Sequence, residues 1–204
     1  SLLAGQARAL REAGLHRITV SLDAVEPAMF RTLSGGRGHL DDVFAGIDAA
    51  QSAGFASIKL NCVVQRDLND DQALAIAERF RGTPHVPRFI EYMDVGNCNG
   101  WRREGVVPSA ELRDRIHARW PLDALTPTYR GEVATRHAYR DGAGEVGFVS
   151  SVSDPFCGDC HRARLSSDGQ LFTCLFATRG QPLREHIGRG EDALAEHLAG
   201  LWRV

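Results

Sequence analysis

Cys157, Cys160 and Cys174 space three thiols as C-x2-C-x13-C. Thiolates are soft ligands, and two of them separated by two residues reach one metal centre, while the third has to be returned by the fold. Three readings of this spacing stand open. A structural zinc site closes with four ligands, yet no fourth cysteine follows. His161 adjoins Cys160 too closely to share its metal, and His137 or His186 would have to be brought in by folding. A 4Fe-4S cluster normally takes four thiolates, so three leave one iron for a non-protein ligand. The last reading is coincidental thiols. The other two cysteines read as bystanders, Cys62 on an apolar strand face and Cys98 in a Gly/Asn loop, where a thiol behaves as a small hydrophobe.

Arg162, Ala163 and Arg164 follow the first pair. In an extended segment, residues i and i+2 share a face, and two guanidinium forks side by side suit phosphate. The plain alternative is a solvated surface pair. Asp168-Gly169 reads as a two-residue hairpin loop that pairs Ser167 with Gln170. That count puts Cys174 opposite Ala163, away from both arginines, and a three-residue loop or a bulge reverses the parity.

These groups need elements to hold them. Up to about residue 125 helical and extended periods alternate. Helices are expected over 1–13, 26–33, from Asp41 or Asp42 to Gly54, over 70–81 behind Asn69 as its cap, and over 108–120. Strands are expected over 16–23, 57–64 and 86–93. This alternation implies parallel βαβ units, hence an α/β barrel or a doubly wound sheet. Beyond about residue 126 short extended pieces at 132–139, 145–150, 162–167 and 170–176 read as antiparallel, with helices over 183–187 and from 191 onward. The expected division is an α/β part, 1–125, and a small antiparallel α+β part, 126–204.

Each expected parallel strand has one polar face. Arg17, Thr19, Ser21 and Asp23 lie opposite Ile18, Val20 and Leu22. Ser57, Lys59 and Asn61 lie opposite Ile58, Leu60, Cys62 and Val64, and Glu91 and Met93 lie opposite Ile90 and Tyr92. Parallel strands are usually apolar on both faces. A polar face therefore marks either a ligand-lined barrel interior or an open sheet. The C-terminal ends of such strands are where barrel active sites are built.

The composition narrows the classes. In 204 residues, 43% hydrophobic and 25% charged are values of soluble globular proteins, which excludes disorder, collagen and coiled coil. Lys and Arg number 24 against 26 Asp and Glu, a net charge of −2. No whole-chain basic field draws the protein to nucleic acid or a membrane, so any anion site is local. No apolar run reaches the ~20 residues of a membrane span, and no signal-peptide pattern opens the chain. A cytoplasmic protein is expected. The chain opens at Ser1 without a methionine and stops within a helical pattern.

The run from Ser151 to Phe176, Ser-Val-Ser-Asp-Pro-Phe-Cys-Gly-Asp-Cys-His-Arg-Ala-Arg-Leu-Ser-Ser-Asp-Gly-Gln-Leu-Phe-Thr-Cys-Leu-Phe, resembles the C-terminal cluster region of the GTP 3′,8-cyclases. Val20-Ser-Leu-Asp23 and Arg88-Phe-Ile-Glu-Tyr-Met-Asp-Val-Gly96 match in the same order. That family comprises the radical S-adenosylmethionine (SAM) lyases that open molybdenum cofactor biosynthesis. The resemblance implies that Cys157, Cys160 and Cys174 hold an auxiliary 4Fe-4S cluster whose open iron binds the guanine of GTP. It implies GTP contacts at Lys59, Arg162, Ala163 and Arg164 and SAM contacts at Ser21 and Met93, and it singles out no catalytic side chain. The implied fold is a partial (β/α) barrel followed by a small antiparallel α+β cluster domain, in a homodimer. The family's second 4Fe-4S cluster sits in an N-terminal C-x3-C-x2-C motif that this sequence lacks, as it lacks the Gly-Gly tail. A fragment inactive alone is therefore expected. Two other readings stay open, a different radical SAM enzyme with an auxiliary cluster and a zinc-stabilised binding module.

Overall fold

Apolar residues at helical spacing form α1 (Leu3–Glu12), and β1 (Ile18–Ser21) follows. Glu26 caps α2 (Pro27–Leu33) by accepting the amides of Ala28 and Met29 at 3.0 and 2.6 Å. Pro27 takes the first helical position, where its missing N–H costs nothing. Then come α3 (Leu40–Ser52), β2 (Ile58–Val64), α4 (Gln72–Phe80) and β3 (Val86–Glu91). This is a computed structural model, and it describes residues 2–95, 100–160 and 162–201. Cys98 and His161 lie outside the described residues, as does the end of the last expected helix.

The next elements are α5 (Ser109–Arg119), β4 (Leu122–Ala124), β5 (Thr135–Tyr139) and β6 (Glu145–Val149). One sheet runs in the order β1-β2-β3-β6-β5-β4. Its first four strands are parallel neighbours, with Ile18 beside Ile58, Lys59 beside Val86 and Arg88 beside Gly147. The antiparallel pairing of β5 with β6 matches expectation. β6 nevertheless also extends the parallel sheet, so the change of periodicity at 126 falls inside the first compact unit. That unit comprises residues 2–94 and 100–157, and the second comprises Val95 and 158–201. Parallel strands with helical crossovers give the expected α/β, partial-barrel architecture.

The core lies on one side of this sheet. Ile58, Leu60, Cys62 and Val64 of β2, Phe89 of β3 and Phe148 of β6 are buried in one cluster with Ile47, Ala50, Ile76, Phe80, Leu112 and Ile116 of the helices. The Phe89 and Phe148 rings stand 6.0 Å apart across the strand pair, an aromatic contact within the favourable range.

Asn69 departs from the sequence expectation. The helix begins at Gln72 and takes no side-chain cap from Asp71. Asn69 is instead buried between strand ends. Its Oδ1 accepts the Gln65 amide at 2.9 Å, and its Nδ2 donates to the Asp23 and Val63 carbonyls at 2.9 and 3.0 Å. Gln72 reinforces the link, its Oε1 accepting the amides of Val25 and Glu26.

In the second unit β7 (Arg164–Leu165), β8 (Gln170–Phe172) and β9 (Gln181–Pro182) form an antiparallel sheet, and α6 (Arg184–Ile187) and α7 (Glu191–Leu201) follow. The hairpin differs from the two-residue loop expected. Arg164 pairs with Phe172 and Leu165 with Leu171, and the Ser166 amide donates to the Gln170 carbonyl at 2.9 Å. The loop is therefore Ser167-Asp168-Gly169. Its cause is visible in the backbone: Gly169 has φ +84° while Asp168 stays at negative φ, whereas a two-residue type I′ turn needs positive φ at both positions. The pairing moves by one residue, and it ends at Phe172, before Cys174.

Candidate functional site

The helix-free face of the parallel sheet is built from alternate strand residues. Ser21, Asn61, Arg88, Gly147 and Arg136 follow one another in register across five strands, and Thr19 and Lys59 are paired two residues earlier. Arg88 crosses the sheet surface. Its Nε and Nη2 donate to Asn61 Oδ1 at 2.9 and 2.7 Å, and a Cβ at Gly147 would lie 3.3 Å from Arg88 Cγ. Arg136 pairs with Glu145 at 2.7 Å. The Lys59 amine is held below its ordinary pKa, first by burial and then by the charges of Arg88 and Arg17. Several cations thus share a partly dehydrated surface, where electrostatic interactions exceed their strength in water. Such a surface attracts an anion.

Ser21 and Lys59 both lie on this face, Ser21 exposed and Lys59 half-buried. The third strand differs from the expectation. Glu91 is wholly buried on the same face as Phe89, because the register places Val64 beside Glu91 and Asn61 beside Arg88. Arg88, rather than Glu91, continues the polar face. Met93 is half-buried two residues beyond the strand end, where strand parity no longer governs it. Arg88 and Arg136 escaped sequence reasoning because their alignment depends on strand register. The one usable signal was the parity of Arg88 against Phe89.

Cys157 opens a 3-10 turn, Cys157–Asp159. Cys157, Cys160 and Cys174 are exposed and none is in a disulfide. The Cys160 thiol lies below its ordinary pKa because the Arg162 amide and then its guanidinium hydrogen-bond the sulfur, and the charges of Arg162 and Arg164 act in the same direction. Arg162 Nη2 stands 3.5 Å from Cys160 Sγ. Arg162 and Arg164 are half-buried and Ala163 between them is exposed, the alternation expected of an extended segment. Cys174 Sγ accepts the Phe176 amide at 3.4 Å. Cys62 behaves as the expected bystander: burial, and then the charge of Asp23, push its thiol well up.

Among the described residues no three His, Cys, Asp or Glu side chains form a group that could hold a metal ion. His137 stacks edge-on against Phe148, and His186 lies flat on His197 with ring centroids 3.7 Å apart. The donor chemistry of the three cysteines fits an iron-sulfur cluster. All three are free, and at Cys160 neighbouring donors favour the thiolate that ligates metal.

The family described as Molybdenum Cofactor Synthesis C matches residues 86–204, and the Radical SAM superfamily matches residues 1–80. A protein named GTP 3′,8-cyclase from Xanthomonas campestris pv. campestris (strain 8004) is 66% identical over 204 residues, which are 100% of this chain and 60% of that protein. Proteins of the same name from Acidothermus cellulolyticus and Synechococcus sp. (strain WH7803) are 53% and 46% identical, covering 99% and 97% of this chain and 58% and 60% of their own. The chain thus spans about three fifths of the length of these relatives. Among the described residues no helix is long and apolar enough to cross a membrane.

Proposed function

The chain belongs to the molybdenum cofactor synthesis C family, and we propose that, within a longer protein, it forms the GTP-holding and auxiliary-cluster portion of a radical SAM GTP 3′,8-cyclase. The reaction converts GTP to (8S)-3′,8-cyclo-7,8-dihydroguanosine 5′-triphosphate. Cys157, Cys160 and Cys174 hold a 4Fe-4S cluster, which when bound supplies an open iron for the guanine base. Arg162 and Arg164 present two forks to the triphosphate, and Ala163 is a further GTP contact in the same segment. Lys59, on the sheet face of the first unit, is a further GTP contact. Ser21 and Met93 stand on the SAM side, the first at the end of β1 and the second two residues beyond β3. SAM itself and the second 4Fe-4S cluster depend on the longer protein, so the chain alone binds but does not turn over. The reading places the protein in the cytoplasm as a homodimer.

The observation that carries this reading is the contact of Arg162 with Cys160. One residue type supplies a soft-metal ligand and the other an anion anchor, and here they touch. Anaerobic reconstitution with iron and sulfide, followed by absorption spectroscopy, metal analysis and a GTP titration, tests it. A brown protein with broad visible absorption that binds GTP is expected. A colourless protein that takes up zinc in place of iron overturns the cluster assignment, and formation of the cyclised product by this chain overturns its inactivity.

A further inference from the structure

Glu91 ends β3 and is wholly buried. Its Oε1 accepts the Ser109 amide at 2.7 Å and the Ser153 hydroxyl at 2.5 Å, and its Oε2 accepts the amides of Val152 and Ser153 at 2.8 Å each. No salt bridge reaches it among the described residues. Burial alone would raise its pKa, yet the hydrogen bonds from Ser153, Ser109 and Val152 outweigh burial and hold the carboxyl below its ordinary range. A carboxylate offers only acceptors, so its two oxygens satisfy four donors with no donor facing another. Burying a charge for packing alone is costly, and an apolar side chain would fill the space without that cost. What the carboxylate adds is the geometry of its four bonds.

The partners say what that geometry fixes. Ser109 opens α5. Val152 and Ser153 lie in the turn after β6, and only Asp154, Pro155 and Phe156 separate them from Cys157. Pro155 restricts this short tether further, since its ring locks φ. The strand that supplies the carboxylate leads, two residues later, to Met93. We propose that Glu91 is a positioning residue, whose carboxylate fixes the segment bearing Cys157 relative to the strand end bearing Met93. The inference rests on reading Cys157 as a cluster ligand.

Hydrogen exchange on the metal-free chain, read by mass spectrometry, tests the grip, and iron loss to a chelator after anaerobic reconstitution tests its purpose. In Glu91→Gln an amide NH2 group faces N–H donors. Exchange over residues 152–159 and at the start of α5 is expected to rise at least about tenfold, with β1 and β2 within about twofold of the parent. Iron is expected to leave Glu91→Gln faster than the parent. Ser153→Ala, which deletes only the hydroxyl donor, should fall between the two in both readouts, and it carries the test if Glu91→Gln does not fold. Unchanged exchange over 152–159, or a rise spread evenly through β1, β2 and β3, overturns the proposal, as does a loosened segment with unchanged iron loss. A parent chain that takes up no iron overturns the cluster reading instead, and exchange alone then decides whether Glu91 holds the segment.

Discussion

Removing the Asn69 side chain beyond Cβ should loosen the strand ends that carry the site. In Asn69→Ala the Gln65 amide and the Asp23 and Val63 carbonyls each lose a partner 2.9 to 3.0 Å away. Asn69 is 1% exposed, so these groups do not turn directly to solvent. Three such bonds at a net ~1 kcal/mol each give about 3 kcal/mol. The full desolvation penalty of ~1–3 kcal/mol per orphaned group would exceed this, but the vacated space is polar and can admit a water. Urea unfolding followed by circular dichroism measures the change, and 3 kcal/mol corresponds to a midpoint lowered by roughly 1 M or more at ordinary slopes. Asn69→Asp supplies a second arm. It keeps the shape but turns a carboxylate oxygen on two carbonyls, so it should be as damaging as alanine at pH 7 and partly recover in acid, where a protonated oxygen donates again. A loss below about 1 kcal/mol in Asn69→Ala, or an Asn69→Asp as stable as the parent at pH 7, would refute the assignment of Asn69 as the staple between β1 and β2.

Lys59→Met should weaken GTP binding by about tenfold, the scale of one charge-assisted contact, without lowering the melting temperature, because the crowding from Arg88 and Arg17 is relieved. Calorimetric titration of GTP into parent and variant checks this, and equal affinities would remove Lys59 from the site. His85 accepts the Ile58 amide at Nδ1 (3.3 Å) and bonds Gln51 through Nε2 (3.2 Å), and burial lowers its pKa below 6.5. The folded state therefore resists a proton that the unfolded chain takes up, so stability is full above pH ~6.5 and is lost as pH falls through the lowered value. Urea stability measured from pH 7.5 to pH 5 should show this decline, and a His85→Asn variant should show a shallower one. A Cβ at Gly180 would lie 2.7 Å from Gln170 Cβ and 2.9 Å from the Phe172 ring. Gly180→Ala should cost ~1–3 kcal/mol and speed exchange in β8 and β9 while β1 to β3 stay protected. Unchanged protection in β8 would count against it.

How much of this was legible in the sequence depends on range. The alternation in β2 was readable residue by residue, since Ile58, Leu60, Cys62 and Val64 are buried and Lys59 and Asn61 are not. The i, i+2 pairing of Arg162 and Arg164 needed only the local backbone. Longer-range partners were beyond reach. Asn69 reads as a helix cap because Asn before a helical run usually is one, yet its bonds go to Asp23 and Val63, which the parallel pairing of β1 and β2 brings beside it. The hairpin register turned on one glycine conformation, and the placement of β6 next to β3 turned on a crossover of more than fifty residues between Glu91 and Glu145. No periodicity encodes that distance.

The same register gathers the cations that the proposed anion site needs in a chain of net charge −2. Arg17, Lys59, Arg88 and Arg136 come from separate segments, and the sheet gathers them on the face that the helices leave uncovered. Glu145 pairs with Arg136, while Arg88 is hydrogen-bonded to the neutral amide of Asn61, and Glu132 offsets part of the charge of both Arg88 and Lys59. A triphosphate on this surface would meet a Lys59 amine that burial, and then the neighbouring cations, already depress. Its negative charge would raise that amine again. Proton uptake at Lys59 and phosphate binding are therefore coupled in the favourable direction, and GTP affinity should weaken as pH rises toward the depressed value. A titration of GTP at several pH values, compared between the parent and Lys59→Met, separates this from the pH-independent pull of the arginines. An affinity with the same pH dependence in both would mean that the polar face of the sheet is solvated rather than occupied.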